Sequence, residues 1–202
     1  FTLLMGDRSG ISHSGGALVR AVPAAGVEDV RIGSYNIQNL SGGASVNPDR
    51  LAKLSEVFCQ YLRLPDVVGL VEIADLATAQ RLAQAINDDE FGHCPDDPQY
   101  QAHLLSSNGS QRLGFLVKTA PAATGEPRVQ VLDVVEHFVG EPLLDPLGNP
   151  STLVLFDRPP LHLSAVVNGD NGEDYPLEVL LNHTLSLLDV NSLDSNATWG
   201  TV

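Results

Sequence analysis

Basic residues are scarce in this sequence. Its 202 residues include 11 Lys and Arg against 25 Asp and Glu, for a formal net charge of −14, and only Lys53 and Lys118 are lysines. That balance excludes a general nucleic-acid coat, because sequence-independent phosphate binding needs dense Lys and Arg. It leaves open an enzyme that handles phosphates through a bound cation and a few local arginines, since a cation inverts the local field. Most of the basic residues present are Arg, the better fork for planar phosphate contacts. No apolar run approaches the length of a membrane span. Cysteine is sparse: Cys59 and Cys94 permit one disulfide or two buried free thiols. His13, His93, His103, His137 and His162 show no metal-ligand spacing among themselves, which argues against zinc. No signal peptide stands at the start, and because the sequence opens on Phe1 a longer parent polypeptide is expected.

Hydrophobic residues make up 43% of the chain, enough for the core of one large domain. Residues 1–29 are rich in Gly, Ser and Ala and read as an entry arm or the tail of a preceding module. The pattern tightens from Val30, and 30–202 reads as the domain. "VRIGSYNI" alternates as a strand does. "NPDRLAKLSEVFCQYLRL" predicts a helix with Asn47 as N-cap, Pro48 at its first position and Leu51, Leu54, Phe58, Tyr61 and Leu62 on one face. "PDVVGLVEI" is the nearly continuous apolar run of a strand buried on both faces. A second helix is predicted in "DLATAQRLAQAIND", capped by Asp75, with Leu76, Ala79, Leu82, Ala83 and Ile86 facing inward. Six strands follow: "YQAHLL", "RLGFLVK", "RVQVLDVVEHF", "STLVLF", "LHLSAVVN" and "LEVLLNH". Two β-α steps and then a run of strands imply a mixed sheet in a single α/β (α+β) domain.

Four features can carry chemistry. Asn36 ends the first core strand, with Asn39 three positions on, before "SGGAS". Asn before Gly is also ordinary turn chemistry. Glu72 is a lone carboxylate at the end of an apolar strand, where an ionised group needs a partner. A Mg²⁺ ion is one such partner; an exposed strand end is the simpler alternative. Arg158 lies in "LFDRPPL", where Pro159 and Pro160 hold the chain extended. It can face an anion there or form a surface ion pair with Asp157. Asn182 and His183 close the last apolar strand, where a histidine can act as general acid or as a donor to phosphate, or be merely structural. "NGDNGED", 168–174, reads as a hairpin turn.

"RIGSYNIQNL", "PDVVGLVEI", "RLGFLVK", "LFDRPPL" and "VLLNHTLS", in that order, resemble the endonuclease/exonuclease/phosphatase superfamily, most closely its secreted bacterial extracellular nucleases. The resemblance covers about residues 30–202. It implies a two-layer β-sandwich flanked by helices, of deoxyribonuclease type, and divalent-metal-dependent hydrolysis of DNA or RNA. Asn36 falls on the family's asparagine that binds metal and scissile phosphate, and Glu72 on its metal-ligand glutamate. Arg158 falls on an arginine that contacts substrate phosphate, and His183 on the catalytic histidine. Asn39 and Asn182 are carried as substrate-binding candidates. The implied cofactor is Mg²⁺, with Mn²⁺ or Ca²⁺ as substitutes, and the implied location is extracellular or periplasmic. That location tilts Cys59 and Cys94 towards a disulfide.

The family's later "GD.N" and "SDH" segments have no counterpart in the required place. The resemblance therefore implies the N-terminal part of the domain, apparently truncated on its C-terminal side and completed by a C-terminal continuation or a partner chain. Leu185 also stands where close bacterial relatives tend to carry Lys. Two alternatives follow: the same chemistry on a phospholipid or sugar phosphate, and a non-catalytic module in an extracellular assembly.

Overall fold

Pro65 opens the run that organises the molecule, "PDVVGLVEI". In the computed structural model, which describes residues 20–26, 29–105, 111–144, 147–156 and 158–183, this run is strand β2, Val67–Ile73. It is buried on both faces because it lies inside a sheet and between two other layers. On one side it pairs parallel with β1, Ile32–Leu40, and on the other antiparallel with β4, Arg112–Lys118. Strand β3, Tyr100–His103, pairs with β4, which completes a four-stranded sheet of order β1-β2-β4-β3.

Two helices cover one face of this sheet. Helix α1, Pro48–Glu56, starts as its sequence dictates: the Asn47 side chain accepts from the N–H groups of Asp49 and Arg50, with Pro48 in the first turn. The predicted helix continues only as a π-helical turn, Val57–Tyr61, and the chain then leaves through Arg63 and Leu64, both at positive φ. Leu51, Leu54 and Phe58 are buried as expected, while Tyr61 and Leu62 are half-buried because the widened turn swings them off the stripe. Helix α2, Leu76–Asn87, is capped by Asp75, whose carboxylate accepts from the Thr78 N–H at 2.7 Å and is held below its usual pKa chiefly by Thr78. Leu76, expected to face inward, is 38% exposed. It sits in the first turn, and Thr78 and Ala79 take up the first buried positions. Cys59 and Cys94 form a disulfide that ties the π-helical turn to the loop after α2.

The second sheet is antiparallel, of order β5-β8-β9, from Val129–Glu136, Leu161–Asn168 and Asp174–Leu181. Its inner face, with Val129, Leu161, Leu163, Val167 and Leu181, packs on Val67, Val71, Leu113, Phe115 and Val117 of the first sheet. A separate core lies between the first sheet and the helices. The molecule is thus a mixed α/β structure in which two sheets pack face to face. Gly69 makes the close approach feasible: a Cβ there would stand 2.7 Å from a methyl carbon of Leu181. "NGDNGED" is the β8–β9 turn as read, closed by the Gly169 N–H donating to the Glu173 carbonyl.

One expected strand of the main sheets lies elsewhere. "STLVLF" contributes to β7, Pro150–Val154, which among the described residues pairs only with the short β6, Pro142–Leu144, in a hairpin outside both sheets. Residues 1–19 of the expected entry arm lie outside the described residues. Of the remainder, Val22 donates to the Tyr61 carbonyl and accepts from the Arg63 side chain.

Candidate active site

The ends of β1 and β2 do not run out in register. Asn36 pairs with Val71 and Leu40 with Ile73, so Ile37, Gln38 and Asn39 of β1 share the space opposite Glu72 alone. On the other side Val71 faces Leu113 and Ile73 faces Arg112, which leaves Glu72 as an extra residue in β2. Such a β-bulge re-aims a side chain. Glu72 is held there at φ 69°, with Gln38 and Asn39 at 52° and 57°. Three non-glycine residues in the left-handed region at one spot represent strain that the surroundings must hold. Part of the support is Arg50 of α1, whose guanidinium donates to the carbonyls of Ile37 and Gln38.

Asn36 is oriented by two hydrogen bonds. Its Oδ1 accepts from the Gln38 N–H at 2.8 Å, and its Nδ2 donates to Glu72 Oε1 at 2.8 Å. The backbone bond fixes which end of the amide faces the carboxylate, so Asn36 positions Glu72. The same Oε1 lies 3.5 Å from His183 Nε2, just beyond the end of β9. His183 is held below its ordinary pKa of 6.5 by burial first and by the Arg158 charge second, against an opposing pull from Glu72. Its Nδ1 is buried without a hydrogen-bond partner among the described residues.

Arg158 enters from the segment before β8, Nη2 donating to Gln111 Oε1. Gln111 in turn donates from Nε2 to Asn39 Oδ1 at 2.7 Å. Asn36, Glu72, Arg158 and His183 are therefore brought together, and Asn39 joins them through Gln111. Asn182 is exposed next to His183, and among the described residues no hydrogen bond joins it to the others. Asp157 and Leu185 lie outside the described residues. Gln111 was absent from the sequence reading. Its one legible sign is its place immediately before β4, at the sheet end where β1 and β2 terminate.

Among the described residues no group of three or more His, Cys, Asp or Glu could hold a metal ion. Mg²⁺ does not require one, because it keeps several waters and takes one or two carboxylates together with substrate phosphates. The Glu72 carboxylate, aimed by a bulge and steadied by Asn36, fits that demand. The Asn36 Oδ1 keeps a second lone pair beyond its bond to Gln38. No protein-family model matches this chain, and neither does any curated protein.

Proposed function

We propose that Asn36, Glu72, Arg158 and His183 belong to a site for divalent-metal-dependent phosphodiester hydrolysis, with DNA or RNA as substrate. The observation that carries this reading is the strained double bulge that aims Glu72 at a histidine which also feels the charge of Arg158, the three residues drawn from distant parts of the chain. Strain of that kind clusters at functional sites, and a hard oxygen donor, a fixed cation and an imidazole together meet the needs of phosphoryl chemistry.

Glu72 would hold Mg²⁺ or Mn²⁺, with Asn36 fixing the carboxylate and offering its own oxygen. When bound, the ion supplies charge stabilisation for the phosphoryl and leaving oxygens. The Arg158 guanidinium has five N–H donors. One of its amino groups engages Gln111, and the other donors can make charge-assisted contacts to the phosphate. Asn39 acts through Gln111 to steady Arg158. His183 is uncharged at neutral pH, since burial and Arg158 disfavour the imidazolium. That state suits it to accept a proton from water. As the water oxygen bonds to phosphorus the ester P–O bond breaks, His183 takes the water's proton, and the leaving oxygen takes one from solvent. The unpartnered Nδ1 is where a group that orients the ring belongs.

The test is plasmid nicking with Mg²⁺ and with chelator. Wild type is expected to cut only with the metal. Glu72→Gln is expected to lose cutting, and Arg158→Ala to lose about 100- to 1,000-fold in rate. Undiminished cutting by Glu72→Gln would sink the mechanism.

A further inference from the structure

Aromatic residues are only 5% of the chain, yet four rings stand in series beside the site. Phe156, two positions before Arg158, has its ring centroid 5.7 Å from that of Phe138. Phe138 lies 6.1 Å from His137, and His137 lies 5.3 Å from His162. We infer that this row is a base-stacking subsite, which takes the bases of a single-stranded polynucleotide flanking the phosphate held at Arg158. The inference rests on the hydrolytic reading of Arg158 and goes beyond it by naming the substrate's form.

The row is not core. Phe138 is 54% exposed and is held at φ 58°, a backbone state that is a genuine outlier for a bulky residue and that clusters at ligand-binding positions. It is also preorganised. The His137 N–H donates to the Pro160 carbonyl at 2.9 Å, and the Leu155 N–H to the Glu141 carbonyl at 2.7 Å, which locks the rings to the segment that carries Arg158. At the far end Glu178 accepts from His162 Nε2 at 2.7 Å and fixes that ring.

Charge gives the orientation. Residues 129–157 contain no Lys or Arg, so this stretch offers phosphates no fixed cation and favours contact through its rings. Arg50 and Lys53 instead line a cleft with Tyr35 and Asn36. Stacking on aromatic rings with the backbone drawn along cations is how single strands are held without sequence preference. A duplex, with its bases already stacked inside, cannot use the row. The exposed Val139 and Leu144 on the same segment make an uncharged lipid surface the competing partner.

Fluorescence anisotropy of a fluorescein-labelled oligothymidylate with the full protein, in chelator so that no turnover occurs, tests this. Wild type is expected to bind the single strand more tightly than a matching duplex. Phe138→Ala and Phe138→Leu are expected to weaken binding by roughly 5- to 150-fold, the range for one stacked base, and Phe138→Trp to retain it. Equal binding by wild type and Phe138→Ala overturns the inference, and so does full retention by Phe138→Leu. Binding to phosphatidylcholine vesicles that Phe138→Ala abolishes, with oligonucleotide binding unchanged, also overturns it and assigns the segment to lipid. Ring-dependent binding without Mg²⁺-dependent cleavage would leave the subsite standing and remove the hydrolytic reading. Glu72-dependent cleavage without ring-dependent binding would do the reverse.

Discussion

Strand β2 is bracketed by two carboxylates, Asp66 just before it and Glu72 near its end, and the fold treats them differently. Asp66 is buried with both oxygens engaged: it accepts from the Arg31 N–H at 2.8 Å and from Arg128 Nε at 3.0 Å. Arg128, equally buried, directs its other donors to the carbonyls of Asn168 and Asp29. Every backbone φ in that constellation is ordinary. Among the described residues Glu72 has one firm hydrogen bond, from Asn36, a histidine at 3.5 Å, and a strained backbone. A buried carboxylate whose two oxygens both accept from the protein joins the two sheets and has less capacity left for a ligand. A carboxylate aimed by a bulge and half satisfied keeps that capacity, at a cost in stability.

The largest expected effect breaks the closed end. Arg128→Met leaves Asp66 buried without its counter-charge and should cost about 3–5 kcal/mol in urea unfolding. Glu72→Gln, at the open end, should stay within about 1 kcal/mol. Similar losses for the two would erase the distinction.

The second effect concerns charge at the open end. Arg158→Ala removes a repulsion and should raise the His183 pKa towards its ordinary value of 6.5, as read by NMR titration of the ring. The acid limb of activity should move to higher pH with it. The sign for stability follows from the same shift. A histidine whose folded pKa lies below its unfolded one contributes stability that is fully present above 6.5. That contribution is lost as pH falls through 6.5 towards the folded value. A His183 pKa unmoved or lowered in Arg158→Ala would show that the two groups do not interact.

The smallest effect is a gain. Glu72→Gly removes the side chain at a positive-φ position and should stabilise the protein by about 1 kcal/mol while abolishing activity. Destabilisation would mean that the carboxylate's contacts outweigh the strain.

Much of this was legible before folding. Asn47-Pro48 and Asp75 announced both helix starts, because capping is a local interaction. The double-sided burial of β2 followed from "VVGLV", and Glu72 stood out as the one charged residue of Val67–Ile73. The rest depends on the register of distant segments. Nothing local marks "STLVLF" as a side hairpin, since its alternation suits any sheet. Nothing local marks Asp66 as one half of an ion pair, since its partner Arg128 is 62 positions away. The bulge that aims Glu72 arises only when β1 and β4 pair with β2 on either side. Gln111 gains meaning only when Asn39 and Arg158 arrive from opposite ends of the chain.

The most direct test of Glu72 as a metal ligand is calorimetric titration of Mn²⁺ into wild type and Glu72→Gln, with thermal unfolding of both as the control for folding. The expected result is saturable binding by wild type, binding weakened at least about tenfold in the variant, and matching unfolding temperatures. Equal binding by the two proteins would contradict the role given to Glu72 and with it the hydrolytic site.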